Sequence, residues 1–219
     1  MSPAANGQAA RVDEREAAAA VAGWFGRLLL APLDAATIEI HRNDTLHRFL
    51  LDLGSALGRP AAAEALSRFL REPSAEHAAA RMGHRFVRLF EGVAGPDVIP
   101  LYESAHTGDG SSLYRAPFVE MQAILRELDV AVADTCREPP DHLGLELAAL
   151  AEALRQQKPA LADQLAARLR GWVPNIARAL AARHDTGPYS ELVTLLDAFF
   201  SYLPPAATMH GAPGERPSF

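Results

Sequence analysis

The chain has 219 residues, a formal net charge of −6 at pH 7 and one cysteine, and 49% of its residues are hydrophobic. This length suffices to bury the core of one domain or of two small ones. One cysteine excludes an intramolecular disulfide, and the acidic balance argues against a nucleic-acid partner, whose phosphates require a basic face. The apolar run near the N-terminus is preceded by Asp13 and Glu14 and interrupted by Arg27, so it predicts neither a signal peptide nor a membrane span. We therefore expect a cytoplasmic protein without stable membrane insertion.

Helical periodicity dominates the chain from residue 11 to residue 203. Alanine and leucine are abundant, and apolar residues recur at helical spacing rather than in alternation. The sequence therefore predicts an all-α fold, a bundle of about eight to ten helices. The flanking segments 1–10 and 204–219 are aperiodic and rich in small residues or proline, which predicts a disordered leader and a flexible tail.

The predicted helices are bounded by caps, glycines and prolines. In chain order they cover about residues 12–30, 44–57, 61–70, 75–90, 117–133, 143–158, 161–176 and 189–203. Ser74 is the expected N-cap of the fourth helix, and Pro174 is expected to kink the seventh or to start a new one. About twenty residues from Gly92 onward are rich in glycine, proline and serine, and we expect them to form an ordered loop that covers a site.

The fourth helix is predicted to be amphipathic. Its apolar side carries Met82, Phe86, Leu89 and Phe90. Its opposite side carries His77, Arg81, His84 and Arg88. This division predicts one buried face and one solvated basic face.

The stretch EPPDHLGLEL, at 138–147, combines helix punctuation with residues that punctuation does not explain. Its two prolines end the preceding helix, and Asp141 is the expected cap of the next one. The helix dipole disfavours an imidazolium at His142, and Gly144 weakens the helix by about 1 kcal/mol. A glycine at this point indicates a close approach by another backbone, such as that of a bound segment.

Two combinations of histidine and carboxylate residues have side chains of the types that bind metals. Asp141, His142 and Glu146 lack the further convergent ligands that a metal requires. The pair His184-Asp185, of the kind that helical metal-dependent hydrolases use, lies at a helix exit, which favours a solvent-facing pair. No serine or cysteine stands in a recognised nucleophile motif.

Five segments, in order along the chain, carry a resemblance to a known family. They are RLFEGVAGPDVIPLYES, LYRAPFVEMQAILRELDV, EPPDHLGLELAALAEAL, RLRGWVPNIARAL and GPYSELVTLL. Together they resemble the TorD/DmsD/NarJ-type chaperones, which mature molybdenum enzymes of the DMSO reductase family, over about residues 85 to 196. The most specific parts are Leu89-Phe90, Tyr102-x-Ser104 and Glu138-Pro139-x-Asp141-His142.

The resemblance implies an all-helical cytoplasmic chaperone without catalytic activity, metal or cofactor of its own. Such proteins bind the twin-arginine leader, or the apo form, of a molybdopterin oxidoreductase and delay its export until the cofactor is inserted. The resemblance also implies a capacity to form homodimers, with an N-terminal domain at 11–137, a hinge at 138–142 and a C-terminal domain at 143–203. By position, the peptide-binding candidates are Phe86, Leu89, Phe90, Tyr102, Ser104, Glu138, Asp141 and His142.

The chemistry of a twin-arginine leader agrees with these residue types. Two guanidinium groups followed by an apolar stretch require carboxylates beside an apolar groove. Glu103, Glu138 and Asp141 are candidates for the carboxylates, and the aromatic and leucine side chains above are candidates for the groove. Two alternatives stay open, namely a metal-dependent helical hydrolase and a helical interaction module in which Asp141 and His142 are purely structural.

Two positions depart from the family pattern. Where the family often has His-Leu-x-x-Trp, this chain has Arg168 followed by Leu-Arg-Gly and Trp172, so the role of that histidine does not carry over. A second proline, Pro140, precedes Asp141, and we expect it to stiffen the hinge.

Overall fold

The computed structural model describes residues 3–91, 98–107, 116–133 and 136–205, with the backbone alone for 3–13. The helices in these ranges are α1 (Pro3–Leu30), α2 (Ala35–His41), α3 (Asp44–Ala56), α4 (Pro60–Leu70), α5 (Ala75–Phe90), α6 (Glu103–His106), α7 (Ala116–Glu127), α8 (Leu143–Arg155), α9 (Pro159–Ala181) and α10 (Pro188–Tyr202). The described ranges contain no β-strand, and their isolated β-bridge joins Tyr102 to His142. The predicted all-α bundle is confirmed, and the ten described helices agree with the predicted eight to ten.

Local capping explains why several helices begin where the sequence predicts. The Ser74 side chain accepts a hydrogen bond from the His77 N–H at 3.1 Å and caps α5. The Asn43 side chain does the same for α3, accepting from the Leu46 N–H at 2.8 Å. Each cap satisfies a backbone donor that the first helical turn leaves without a partner.

The N-terminal part of the chain differs from the prediction. Helix α1 already begins at Pro3, inside the segment 1–10 that was expected to be a disordered leader. Proline is favoured in the first turn of a helix and the following alanines have high helix propensity, so the helix extends beyond its apolar stripe. Helix α2, capped by Asp34, was not predicted because seven residues are too short to show a clear period. None of the described helices is long and apolar enough to cross a membrane.

Two later helices also differ from their predicted bounds. Helix α7 ends at Glu127 rather than near residue 133, and Asp129 then adopts a left-handed conformation with φ of 55°. Helix α9 continues through Pro174 without a fresh start. Trp172, Val173 and Ile176 are buried around this proline, so tertiary packing outweighs the hydrogen bond that proline removes.

The core is continuous across the predicted boundary at 138–142. Helix α1 packs along α8, and α4 packs against α10, so segments before and after the boundary bury one apolar cluster together. At the crossing of α1 and α8, a Cβ added to Gly144 would lie 3.0 Å from the carbonyl oxygen of Gly26. The close approach expected at Gly144 is therefore made by helix α1 of this chain. The division into domains at 11–137 and 143–203 stays a prediction.

Candidate functional site

Two of the sequence motifs lie side by side in the structure. The Glu103 N–H donates to the Asp141 carbonyl oxygen at 2.9 Å, and the Leu143 N–H donates to the Leu101 carbonyl oxygen at 2.8 Å. Between these bonds lies the bridge between Tyr102 and His142. We call residues 101–104 and 138–143 the junction, because these backbone contacts fix the two motifs against each other.

The carboxylate of Asp141, the buried acid of the junction, accepts a hydrogen bond from the backbone and is shielded from solvent. Asp141 is only 1% exposed, and its Oδ2 atom accepts a hydrogen bond from the Ser104 N–H at 3.2 Å. Ser104 is also buried, and its hydroxyl oxygen has no hydrogen-bond partner in the part of the chain that the structure describes. Asp141 therefore fixes the start of α6 in this conformation.

His142, and not Asp141 as expected, is the N-cap of α8. Its Nδ1 atom accepts a hydrogen bond from the Gly144 N–H at 3.1 Å, which requires an unprotonated nitrogen. Burial lowers the pKa of His142 to about 4, against the opposing effect of Glu138 and Asp141, so the imidazole is neutral at physiological pH. A neutral cap avoids the unfavourable interaction between an imidazolium and the positive end of the helix dipole.

Tyr102 and Glu138 form the partly exposed edge of the junction. The Tyr102 hydroxyl donates to Oε2 of Glu138 at 2.8 Å, and the Tyr102 ring meets the His142 ring edge-to-face with centroids 5.2 Å apart. Partial burial and the Glu138 carboxylate raise the pKa of Tyr102, so the phenol stays protonated. This edge presents a carboxylate and an aromatic ring together.

The three apolar candidates on α5 lie in the core rather than along an open surface. Phe86, Leu89 and Phe90 are buried. The two phenylalanine rings pack edge-to-face with centroids 5.2 Å apart, and both contact the buried ring of Tyr189 on α10. The Leu89 carbonyl oxygen accepts a hydrogen bond from the Ile99 N–H at 2.8 Å, which leads the chain from α5 towards the junction.

Residues 92–97 and 108–115, which include most of the predicted covering loop, lie outside the described residues.

A buried charge cluster lies behind the junction, and sequence reasoning did not assemble it. The Arg168 guanidinium pairs through Nη2 with Glu103 and through Nη1 with Glu120. The side chains of Arg168 and Glu103 are 11% and 8% exposed, whereas that of Glu120 is 54% exposed. Burial raises the pKa of Glu103, and the guanidinium acts in the opposite direction. We call these three residues, with Glu146 and Trp172, the Arg168 cluster.

Glu146 holds the second carboxyl group of this cluster. It is completely buried, and its Oε2 atom accepts a hydrogen bond from the Trp172 indole N–H at 3.3 Å. Burial, followed by the nearby Glu103 carboxylate, raises the pKa of Glu146 well above its ordinary value. Its surroundings therefore favour the protonated form of the Glu146 carboxyl group. The sequence signal for the cluster was the arginine at position 168, where the resembling family often has histidine.

The candidate metal ligands are not brought together in the described part of the chain. No group of three or more His, Cys, Asp or Glu side chains within the described ranges is placed to hold a metal ion. The Asp185 carboxylate pairs instead with Arg85 at 2.5 Å and with Arg88 at 3.2 Å. Part of the predicted basic face of α5 thus joins α5 to the loop before α10.

Comparisons with known proteins find matches over the part of the chain that contains the junction. The family model described as nitrate reductase delta subunit matches residues 55–181, which include both halves of the junction. A protein named chaperone protein TorD from Photobacterium profundum is 26% identical over 192 residues, covering 80% of this chain and 87% of its own. The protein of the same name from Vibrio parahaemolyticus is 26% identical, covering 80% and 87%. That from Aeromonas salmonicida is 31% identical over 191 residues, covering 81% and 85%.

Proposed function

Because the chain belongs to the nitrate reductase delta subunit family, and TorD chaperones are among its relatives, we propose that it is a maturation chaperone for a molybdopterin oxidoreductase. In this proposal it binds the twin-arginine leader, or the apo form, of that enzyme and assists cofactor insertion before export. It acts in the cytoplasm as a binding protein, without catalysis and without a metal or cofactor of its own. The observation that carries the proposal is the junction, where two of the three most specific motifs meet and present Glu138 beside Tyr102.

Exposure divides the eight candidate residues into two groups with different roles. Tyr102 and Glu138 are partly exposed, so we propose that they contact the leader directly. The other six, which are buried, would shape and support the site: Phe86, Leu89, Phe90, Ser104, Asp141 and His142. A leader guanidinium can form a charge-assisted hydrogen bond with the Glu138 carboxylate, and the Tyr102 ring offers a face for stacking by the same planar group.

We further propose that residues 138–142 form the hinge between the segments 11–137 and 143–203. Opening this hinge would break the two backbone hydrogen bonds of the junction and separate α1 from α8. A homodimer that exchanges α8–α10 between copies would rebuild the same contacts with the partner copy. A hinge with two consecutive prolines has few accessible backbone conformations, which restricts the exchange.

The binding proposal is tested by titrating the protein with a synthetic twin-arginine leader of a molybdopterin oxidoreductase and with the same peptide carrying Lys-Lys. We expect the Arg-Arg peptide to bind about tenfold more tightly, since lysine lacks the planar donors of a guanidinium. Glu138→Gln should reduce that preference, while Glu127→Gln, at the exposed end of α7, serves as the matched control. Equal affinities for the two peptides would contradict arginine recognition, and an absence of binding to both would contradict the leader-binding proposal itself.

A further inference from the structure

The Arg168 cluster already contains the ion pair that a leader arginine would make. A guanidinium binds two carboxylates through its fork of N–H donors, and Arg168 does this with Glu103 and Glu120. Glu103 is the residue after Tyr102 and donates its backbone N–H to the Asp141 carbonyl oxygen of the junction. The internal arginine thus engages a carboxylate directly behind the proposed contact edge.

We propose that Arg168 is an internal substitute for a leader arginine, which displaces it from Glu103 and Glu120 when the leader binds. This inference rests on the proposed function, because it concerns how the same site selects arginine. In the free protein, Arg168 occupies the carboxylates of Glu103 and Glu120, so a peptide must compete with it for them. A leader guanidinium, which has the same charge and geometry, can replace it.

An exchange of like for like avoids the main electrostatic cost of opening this cluster. Removing one partner of a buried ion pair leaves an uncompensated charge, which is strongly destabilising. If one guanidinium replaces another, the Glu103 carboxylate keeps a cationic partner in both states. A lysine cannot bridge the two carboxylates with a planar fork. The exchange therefore selects arginine over lysine.

The internal ion pair is incomplete in a way that leaves room for competition. The Arg168 Nε–H is buried and has no hydrogen-bond partner among the described residues. The outer carboxylate, Glu120, is 54% exposed at its side chain, so an incoming guanidinium can meet it from solvent before reaching Glu103. The released Arg168 side chain regains its hydration, which offsets part of the cost of its lost pairs.

Helix α6, which carries Glu103, is weakly held by local structure. It spans four residues, and its N-cap residue Tyr102 makes no side-chain capping hydrogen bond. Its position depends on the ion pair with Arg168 and on the bonds that Glu103 and Ser104 make to Asp141. Displacement of Arg168 would therefore alter the position of α6 at the junction.

The test compares leader binding by the full-length wild type and an Arg168→Lys variant, using the Arg-Arg and Lys-Lys peptides. Lysine keeps a positive charge beside Glu103 but competes less well for two carboxylates. We expect Arg168→Lys to bind the Arg-Arg peptide at least about threefold more tightly than the wild type does. The affinity for the Lys-Lys peptide should change less. Arg178→Lys is the matched control, because Arg178 lies on the same helix and its described side-chain hydrogen bond goes to Asn175. Urea unfolding followed by circular dichroism verifies that both variants are folded.

Each outcome decides between distinct conclusions. Unchanged or weaker binding of the Arg-Arg peptide by folded Arg168→Lys, with normal binding by the wild type, overturns the substitute role and leaves the proposed function intact. Equal tightening for both peptides also overturns it, because the exchange would not be selective for arginine. Absence of binding by the wild type as well as the variant overturns the proposed function and this inference together. A gain that disappears in the Arg168→Lys/Glu120→Gln double variant supports exchange at Glu120.

Discussion

Gly144→Ala should destabilise the protein, although alanine is the better helix former. The added Cβ would lie 2.9 Å from Cβ of Leu30, 3.0 Å from its Cα and 3.0 Å from the Gly26 carbonyl oxygen. These atoms belong to or adjoin the backbone of α1, so they cannot rotate away. Overpacking of this kind costs about 1–3 kcal/mol, and the gain in helix propensity offsets up to about 1 kcal/mol of it. We expect a net loss of about 1–2 kcal/mol in the free energy of unfolding.

The assay is equilibrium urea unfolding followed by circular dichroism, with Gly171→Ala as the matched control. A Cβ on Gly171, in the middle of α9, would have no atom within 4 Å beyond the adjacent backbone of its own helix. This variant should therefore gain up to about 1 kcal/mol. In both variants the free energy of unfolding should fall with urea concentration as steeply as in the wild type, because the surface area exposed on unfolding is nearly unchanged. A Gly144→Ala variant as stable as the wild type would refute the close α1–α8 crossing.

Three further predictions concern the buried groups of the junction and of the Arg168 cluster. Asp141→Ala leaves the Ser104 N–H without its carboxylate partner and should lower the free energy of unfolding, measured in urea, by about 1–3 kcal/mol. The same variant should bind the leader peptide more weakly. Complete loss of helicity would instead favour a purely structural role for Asp141. His142 has a folded-state pKa of about 4 against an ordinary value of 6.5, so the wild type should lose up to about 3 kcal/mol relative to His142→Asn as pH falls through this window. Glu146, with its raised pKa, contributes stability below pH 4.5 that is lost as pH rises, so Glu146→Gln should become progressively more stable than the wild type at higher pH. Parallel pH profiles for wild type and either variant would contradict the corresponding assignment.

The features that the sequence predicted well are encoded by neighbouring residues. The predicted cap at Ser74 needs only a side chain and a backbone N–H three residues later, and the predicted helix start at residue 44 is fixed in the same way by Asn43. The long amphipathic helices show their period within their own letters. Helices α2 and α6 have seven and four residues, too few for a period to emerge, and α6 is positioned by contacts with distant parts of the chain.

Residues of the candidate site were harder to interpret because their surroundings come from far along the chain. Phe86 and Phe90 fit an apolar groove equally well by sequence, but Tyr189, about a hundred residues later, covers them. An imidazolium at His142 would be unfavourable at the start of a helix, whereas a neutral imidazole is not. Its burial, which sequence spacing does not show, makes it neutral and turns it into a cap.

The arginine at position 168 favours the ionised form of the buried carboxyl groups near it, those of Glu103 and Glu146. A histidine at that position, when neutral, could not compensate a buried carboxylate. With Arg168 present, Glu103 can remain ionised although it is buried. Burial and the nearby Glu103 carboxylate raise the pKa of Glu146 in spite of this guanidinium, and Glu146 accepts the Trp172 indole N–H. The cluster therefore places three carboxyl groups, those of Glu103, Glu120 and Glu146, around a single cation, and a leader arginine that replaced Arg168 would preserve this charge balance.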